Sequence, residues 1–486
     1  GEQALAGGAY QEAILFLAAA LERDPPPPQD GRAEARFRQA RWERQLAEAH
    51  LGLGDTGQGR VHLGRALQLL GAPLPATPRL LIGSLLRQLA VQALHRAFPN
   101  QTAGRGRRPP EEGLEASRAY LRLTEVFWFA NDVPALVHAS IQALNQAEGA
   151  GPSPELARAY SIMCLAAGSV PIHRLARAYA RRAEQTARRA GQLWPLGYVR
   201  FITCVYLIGA ARWAELHEAL QEAEALLERA GDRRALGDAL TVQAMSSLYR
   251  GQFRHAAAGF DDVHRRGRRH ENLPHQVWGL LGNAECELRA GRFDEAARLL
   301  EDALALLTDH PDRAEQLRAH GLLAVAQLRQ RNPEAARQAA ATAARLIAKF
   351  RAPTSHYLLE GYAGVAEVYL SLWETGQDSS GTRRAARRAC RALRGFARVF
   401  PIGQPRARLY QGRLAELSGR PRRAQAAWRA SLAAAERLGM PFEAALAHGE
   451  LGRHATGTPR GHSHLEQAQA LRRELDLPVE SIHHAN

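Results

Sequence analysis

One spacing in this sequence constrains its fold more than any other: a small or apolar residue occurs at six successive positions that lie about forty residues apart. These residues are Ala135, Ala176, Leu216, Ala256, Ala296 and Ala336, at steps of 41, 40, 40, 40 and 40. A glycine followed by an aromatic residue recurs at the same interval, as in Gly251 with Phe253 and Gly291 with Phe293. Such a period predicts an array of stacked units rather than separate globular domains.

The stretch from Gly291 to Ala303 has the features of one such unit. Glycine turns the chain, and the alanines that follow let two helices approach closely, as in the second helix of a tetratricopeptide unit. Apolar residues make up 46% of the chain and aromatic residues only 6%, which favours helix-on-helix packing over sheets. We therefore predict an all-α, tetratricopeptide-like α-solenoid, a right-handed superhelix of about eleven helix pairs with a period of about 40 residues. The period predicts helices of about 15–18 residues, with first helices lining the concave wall.

Three irregular stretches interrupt the repeat: the prolines Pro25 to Pro28, the Gly- and Arg-rich segment before Gly113, and a Gly- and Ser-rich segment after Glu374. The first recognisable motif, from Gly8 to Ala20, reads as a second helix without its partner, so we expect further domains upstream. The predicted divisions are N-terminal repeats (1–98), a flexible linker (99–113), regular repeats (114–374), a loop (375–382) and C-terminal repeats with a tail (383–486).

Positive charge dominates the chain, with a formal net charge of +15 and Lys349 as its one lysine, so arginine carries nearly all of it. Arginine-rich surfaces can bind phosphate groups or nucleic acid. A coding sequence rich in G and C also places arginine wherever a solvated cation is tolerated, and this is the simpler interpretation. The candidate residues for a polyanion-binding patch are Arg265, Arg266, Arg268, Arg269, Arg384, Arg388 and Arg391.

The four cysteines, Cys164, Cys204, Cys286 and Cys390, are widely separated and form no C-x-x-C motif, which predicts a reducing setting. Cys164 and Cys204 lie one period apart, at equivalent positions of neighbouring first helices, which predicts small buried side chains there rather than nucleophiles. No apolar run is long enough for a membrane-spanning helix, and no signal-peptide pattern opens the chain. We therefore expect a soluble, cytoplasmic protein with no membrane partner.

Motifs for catalysis and cofactor binding are weak. The pattern G-x-G-x-x-G occurs from Gly52 to Gly57, but the residues before it are helical, whereas a dinucleotide site needs a strand there. There is no P-loop motif, and Lys349 lies in a helical pattern. The nineteen histidines show no metal-ligand spacing. We expect no catalytic residue, no metal and no cofactor; an enzyme would need a site assembled from scattered loops.

Register from Trp278, Leu281 and Gly282 assigns polar residues to the concave wall of the central units. Such side chains could bind the backbone of a peptide or an acidic tail. The candidate partner-binding residues are Gln243, Gln276, Asn283, Glu287 and Gln316.

Five stretches carry a family resemblance: 66–75, 400–406, 427–432, 438–442 and 450–454. Together they resemble the C-terminal tetratricopeptide-repeat region of bacterial multidomain signalling ATPases associated with class III adenylate or guanylate cyclase domains or serine/threonine kinase domains. The resemblance implies an upstream ATPase and effector domain, to which this solenoid would report a bound protein or ligand. The function we expect is therefore a non-enzymatic sensor and scaffold in signal transduction; the alternative is a stand-alone polyanion- or nucleic-acid-binding repeat protein.

Overall fold

The computed structural model describes residues 1–6, 8–24, 32–98, 109–130, 132–308, 312–350, 352–353, 355–376, 380–455 and 457–478. Within these ranges the chain forms α-helices and two short 3-10 helices, His356–Leu358 and Pro401–Gly403, with no β-strand. No helix in the same ranges combines the length and apolar character needed to cross a bilayer. The helices are α1 (Glu2–Ala6), α2 (Tyr10–Arg23), α3 (Arg32–Gly52), α4 (Thr56–Leu69), α5 (Pro78–Ala97), α6 (Pro110–Phe129), α7 (Val133–Ala150), α8 (Pro154–Ser169), α9 (His173–Ala190), α10 (Leu193–Gly209), α11 (Trp213–Ala230), α12 (Arg233–Tyr249), α13 (Phe253–Arg269), α14 (Leu273–Arg289), α15 (Phe293–Leu306), α16 (Arg313–Arg329), α17 (Pro333–Lys349), α18 (Leu359–Glu374), α19 (Ser380–Val399), α20 (Gln404–Leu417), α21 (Pro421–Arg437), α22 (Pro441–Arg453) and α23 (Pro459–Glu474).

The helices of the described ranges fall into eleven successive pairs, with α5 standing alone after the second pair. Neighbours along the chain pack on one another, as α6 does on α7, α8 on α9 and α20 on α21. Helices α8 to α17 are 14 to 18 residues long, close to the predicted length. The predicted all-α, tetratricopeptide-like solenoid is confirmed.

The turns between helices repeat every twenty residues in the regular part of the array. At each described position of this series the backbone has a positive φ, which ends one helix and starts the next. Glycine adopts this conformation without a steric penalty, whereas alanine, glutamate and arginine adopt it at a steric cost. The series is Gly191, Ala211, Gly231, Gly251, Glu271, Gly291 and Arg331.

The residues that defined the period lie in the core. Leu216, Ala256 and Ala296 are fully buried, and Ala135 is 7% exposed. Small residues also let the first helices of successive pairs approach until their backbones nearly touch: a methyl group on Gly321 of α16 would lie 2.5 Å from the Cα of Gly361 in α18. The forty-residue spacing is therefore the spacing of the helix–helix contacts that build the core.

Contacts divide the chain into two compact units. Unit 1 consists of Gly1–Thr203, Gln221–Leu236 and Glu271–Leu273, and unit 2 of Cys204–Leu220, Gly237–His270 and Pro274–Asn486.

The predicted linkers fall partly on helices. Because α6 begins at Pro110 and α19 at Ser380, residues 110–113 and 380–382 are helical. Residues 99–108 and 377–379 of those linkers, and 479–486 of the predicted tail, lie outside the described residues. The boundaries at 98, 113, 374 and 382 stay predictions.

Candidate functional site

A cavity of about 80 Å³ lies among the first helices of unit 2. Its walls come from α14, α16, α18, α20 and α22, the first members of five successive pairs, with Phe293 of α15 and with α23 at one end. Apolar side chains such as Leu322, Leu409 and Phe442 form part of the lining. The charged part consists of Arg289, Arg329, Arg406, Arg413, Arg453 and Arg472, with Glu360, Glu367 and Glu450.

A seven-residue spacing on each helix places these charges. Glu360 and Glu367 on α18 are two turns apart, as are Arg406 and Arg413 on α20, so each pair shares one face of its helix. Helix α22 repeats the spacing with glutamate at 443 and 450. Helices α18, α20 and α22 therefore carry an acidic, a basic and an acidic pair of side chains. These side chains form two charged rows, each of which runs across the successive first helices.

The first row is centred on Arg406, which is 1% exposed. Its guanidinium donates two hydrogen bonds to the carboxylate of Glu443, at 2.9 Å from Nε and 2.6 Å from Nη2. Its Nη1 lies 3.5 Å from Oε2 of Glu360, whose other oxygen accepts from Arg289 at 2.8 Å. Burial disfavours the charge on Arg406, but Glu443 and Glu360 outweigh it and raise the pKa of that guanidinium.

The second row runs from Arg329, which pairs with Glu367, towards α22. The hydroxyl of Tyr410 donates to Oε2 of Glu367 at 2.6 Å. Arg413 pairs with Glu374 at 2.5 Å, and its Nε lies 4.0 Å from Oε1 of Glu450. The guanidinium groups and carboxylates thus alternate along this row as well.

Three guanidinium groups meet at the α22–α23 end of the cavity. Arg453 donates to Oε1 of Glu450 at 2.6 Å, and the Nε of Arg413 lies 4.0 Å from the same oxygen. Arg472 of α23 is 5% exposed, and burial, together with the positive charge of Arg453, lowers the pKa of Arg472 to about 10. The guanidinium groups of Arg453 and Arg472 are therefore close enough to repel each other at this end of the cavity.

The five partner-binding residues predicted from register are not among those that line the cavity. Gln276 donates from Nε2 to the carbonyl of Gly267 at 3.3 Å, and Glu287 pairs with Arg292 at 2.8 Å. Gln243, Asn283 and Gln316 are half-buried. Their role in binding stays a prediction, and the residues of the two charged rows were missed because each looks like an ordinary surface charge in the sequence.

The predicted polyanion patch occupies two helices. At the end of α13, Arg265 pairs with Asp261 at 3.2 Å and Arg266 with Asp262 at 2.6 Å, while Arg268 and Arg269 are exposed. The other three residues, Arg384, Arg388 and Arg391, lie exposed on α19, which contains seven arginines and no acidic residue. The structure thus places the predicted residues in two separate helices, of which α19 is the more uniformly basic.

Helix α5 in unit 1 has a reversed polarity: its polar face is buried against the protein, and its apolar face is exposed. Its polar face lies on α7, where Gln92 donates to Asn145 at 2.5 Å and to Glu148 at 2.7 Å. Arg96 also donates to Glu148, at 2.6 Å. Six large apolar side chains on or just after this helix are exposed to between 46% and 62%: Leu80, Ile82, Leu86, Leu89, Leu94 and Phe98.

The other residues considered in the sequence have structural surroundings. Gly52 to Gly57 run from the last residue of α3 through the turn into the first residues of α4, so a helix precedes the G-x-G-x-x-G pattern, as the sequence predicted. All four cysteines are buried, and burial raises the pKa of Cys164 to about 12. His448 and His464 lie 2.8 Å apart between their Nδ1 atoms, but in the described part of the chain no three potential ligands group together around a metal position.

No protein-family model matches this chain, and no curated protein does. Among solved structures, the crystal structure of yeast Tom70 aligns over 96% of this chain and 97% of its own length, with 13% sequence identity and a TM-score of 0.35. A score this low supports no statement about sites. The helix pairs themselves define the fold.

Proposed function

We propose that this chain is a non-catalytic scaffold that binds a protein partner through the exposed face of α5 and reports the bound state to an upstream ATPase or effector domain. The reversed polarity of α5 is the observation that supports partner binding. The link to a cyclase- or kinase-associated ATPase, and to bacterial signal transduction in the cytoplasm, is supported only by the five family-like stretches of the sequence.

The exposed face of α5 has the spacing of a helix-packing stripe. Ile82, Leu86, Leu89 and Ala93 follow one another at steps of four, three and four, the pattern that lays one helix along another. Burying each of the large side chains against a partner would contribute about 1.5–3 kcal/mol of hydrophobic free energy. Every other helix of the described ranges has a neighbour in its own pair, so α5 lacks the partner that its stripe fits.

Charge around the stripe indicates what kind of helix binds there. Helix α5 contains no acidic residue, and Arg79 and Arg87 are exposed beside the stripe. A second copy of α5 would bring these arginines towards like charges. The occupant we propose is therefore an amphipathic helix of a protein partner, with leucine-like anchors flanked by glutamate or aspartate.

A pair of designed peptides tests this surface. Two labelled 20-residue amphipathic helices share one leucine stripe, and the stripe is flanked by glutamate in one and by lysine in the other. We expect fluorescence anisotropy to show binding of the glutamate peptide to the full chain, and Leu86→Asp to weaken it by about tenfold or more. Leu15→Asp is the matched control, since Leu15 is 70% exposed on a different helix.

Three outcomes would overturn the proposal. The first is equal binding of both peptides, or of neither. The second is a dimer of the free chain in sedimentation that Leu86→Asp dissociates, because a second copy would then occupy the stripe. The third is binding to vesicles of anionic lipid that Leu86→Asp abolishes, because α5 would then be an interfacial membrane helix.

Helix α19 supports a second candidate, the binding of nucleic acid or another polyanion. Its exposed arginines recur at three- and four-residue spacing along one face without an acidic residue on the helix. We expect any binding to duplex DNA to fall steeply between about 50 and 200 mM salt and to weaken in Arg388→Gln with Arg391→Gln. If the affinity for DNA changed neither with salt nor in the double variant, α19 would not be the surface that binds it.

A further inference from the structure

We propose that the turns at Gly251 and Gly291 of unit 2 form a docking site for a short leucine–acidic–leucine–proline segment of a protein partner. Residues 475–478, which follow α23, occupy this site in the free chain, and the partner's segment displaces them. The site lies in unit 2, whereas α5 lies in unit 1, so it goes beyond the proposed function and does not depend on it.

The end of α23 gives the segment its shape. Asp476 has a φ of 59°, in the left-handed region, so the chain reverses there. The N–H of Leu477 donates to the carbonyl of Arg472 at 3.0 Å. The N–H of Asp476 donates to the carbonyl of Arg473 at 3.1 Å, and the two hydrogen bonds together form a Schellman motif. On either side of Asp476, Leu475 and Leu477 are buried, at 9% and 7% exposed.

The turn at Gly251 has room for the first leucine only because it is a glycine. A Cβ on Gly251 would lie 2.3 Å from Cδ2 of Leu475, too close for any other residue at this turn. Pro478 lies on the next turn, where a Cβ on Gly291 would be 3.3 Å from its Cγ. Two other glycine turns of unit 2 have no described atom within 4 Å of such a Cβ: Gly376 and Gly419. The segment therefore covers two particular turns, and its leucine and proline fit them.

The acidic residue of the segment pairs with the start of α13. Asp476 forms an ion pair with Arg254, whose side chain is 88% exposed, while that of Asp476 is 61% exposed. An ion pair this exposed contributes little to stability, and the left-handed conformation of Asp476 has a steric cost. The pair thus favours an acidic residue between the leucines, and the segment itself is held weakly enough to be exchanged.

Tethering sets the competition that a partner meets. A segment joined to its own site has an effective concentration on the order of millimolar. The apparent affinity of a partner is reduced to the fraction of molecules in which the site is open. Releasing residues 475–478 should therefore increase the affinity for the same segment added in trans.

Fluorescence anisotropy of a labelled peptide of residues 463–478, titrated with the full chain, tests this. We expect Leu475→Asp in the chain to release the tethered segment and to increase the affinity for the peptide by about tenfold or more. Leu475→Ala repeats the test with a milder change if Leu475→Asp does not fold. Leu307→Ala is the control, because Leu307 is a buried leucine that ends a different helix, α15, and its loss should not increase the affinity.

Charge reversal tests the ion pair. In a chain that carries Leu475→Asp, adding Arg254→Glu should weaken binding of the peptide by about two- to fivefold. A peptide with Asp476→Arg should recover that loss. Recovery supports the site, because a general loss of structure would not be reversed by a change in the peptide.

Three outcomes would overturn the proposal. The first is equal affinity for the native, Leu475→Asp and Leu307→Ala chains, and the second is no binding to any of them up to about 1 mM. The third is a dimer of the native chain in sedimentation that Leu475→Asp dissociates, because a second copy would then supply the segment. The affinity of the glutamate-flanked peptide for α5 should not change in Leu475→Asp, so this proposal and the proposed function can fail independently.

Discussion

Glu315 holds a proton at a pH where an exposed glutamate is ionised. Its side chain on α16 is 2% exposed, and burial raises the pKa of its carboxyl group to about 8, against the opposing attraction of Arg318. In the unfolded chain the same group releases its proton near pH 4.3. Between these values the folded state binds the extra proton, so the free energy of unfolding falls as pH rises towards 8 and levels off above that value, where both states are ionised.

Replacing Glu315 by glutamine should remove this dependence, because the amide resembles the protonated carboxyl group and cannot ionise. We expect the native chain to lose on the order of 1–3 kcal/mol of stability between about pH 6 and about pH 9, and Glu315→Gln to lose less. Urea unfolding followed by circular dichroism at the two pH values measures the difference. Glu334→Gln, at a side chain that is 81% exposed, should keep the native slope; an unchanged slope in Glu315→Gln would contradict the assignment.

At the scale of elements, the twenty-residue series of left-handed turns contains positions where the residue and the backbone disagree. Ala211 has φ of 56°, in the conformation that glycine holds at Gly251 and Gly291. Ala211→Gly should therefore stabilise unit 2 by about 0.5–1 kcal/mol, since it relieves a conformation that costs alanine about 1–2 kcal/mol. Thermal unfolding measures this. The same change at Ala258, exposed within α13, should lower stability instead, by up to about 1 kcal/mol, and two shifts of the same sign would refute the explanation.

The sequence predicts these elements well because their signals are local. Glycine before an aromatic residue marks a turn at 251 and 291, and the period alone extends the turn to Ala211, where the residue type gives no sign of it. The charged rows could not be predicted in this way. Arg406 and Glu443 are 37 residues apart and both buried, and nothing local to either distinguishes it from a solvated charge.

Helix α5 shows a second reason why part of the structure could not be predicted from the sequence. An apolar stripe normally predicts the buried face of a helix. Here the polar groups of α7, Asn145 and Glu148 among them, need hydrogen-bond partners, and Gln92 and Arg96 of α5 supply them. Satisfying buried polar groups therefore decides which face of α5 turns inward, and the leucines are left outside.

At the scale of the whole molecule, unit 2 joins parts of the chain that are far apart in sequence. Trp213 on α11 donates from Nε1 to the carbonyl of Leu438 at 2.5 Å, across 225 residues. Phe253 and Phe442 meet edge to face at 5.9 Å, and Leu475 is buried against Gly251. The last helices of unit 2 are thus held by helices near the start of the same unit, which keeps α22 and α23 in place around the cavity.

Trp213→Phe tests whether this closure is cooperative, because it keeps the ring and removes only the N–H donor. A hydrogen bond of this kind contributes about 0.5–1.5 kcal/mol, so opening of the contact should become up to about tenfold more frequent. We expect amide hydrogen exchange to accelerate around Leu438 as well as around residue 213, since both sides of the contact are released together. Trp194→Phe removes the same donor from Asp232 in unit 1, 38 residues away, and should affect only that region. Acceleration confined to the neighbourhood of residue 213 would mean that the two ends of unit 2 open independently.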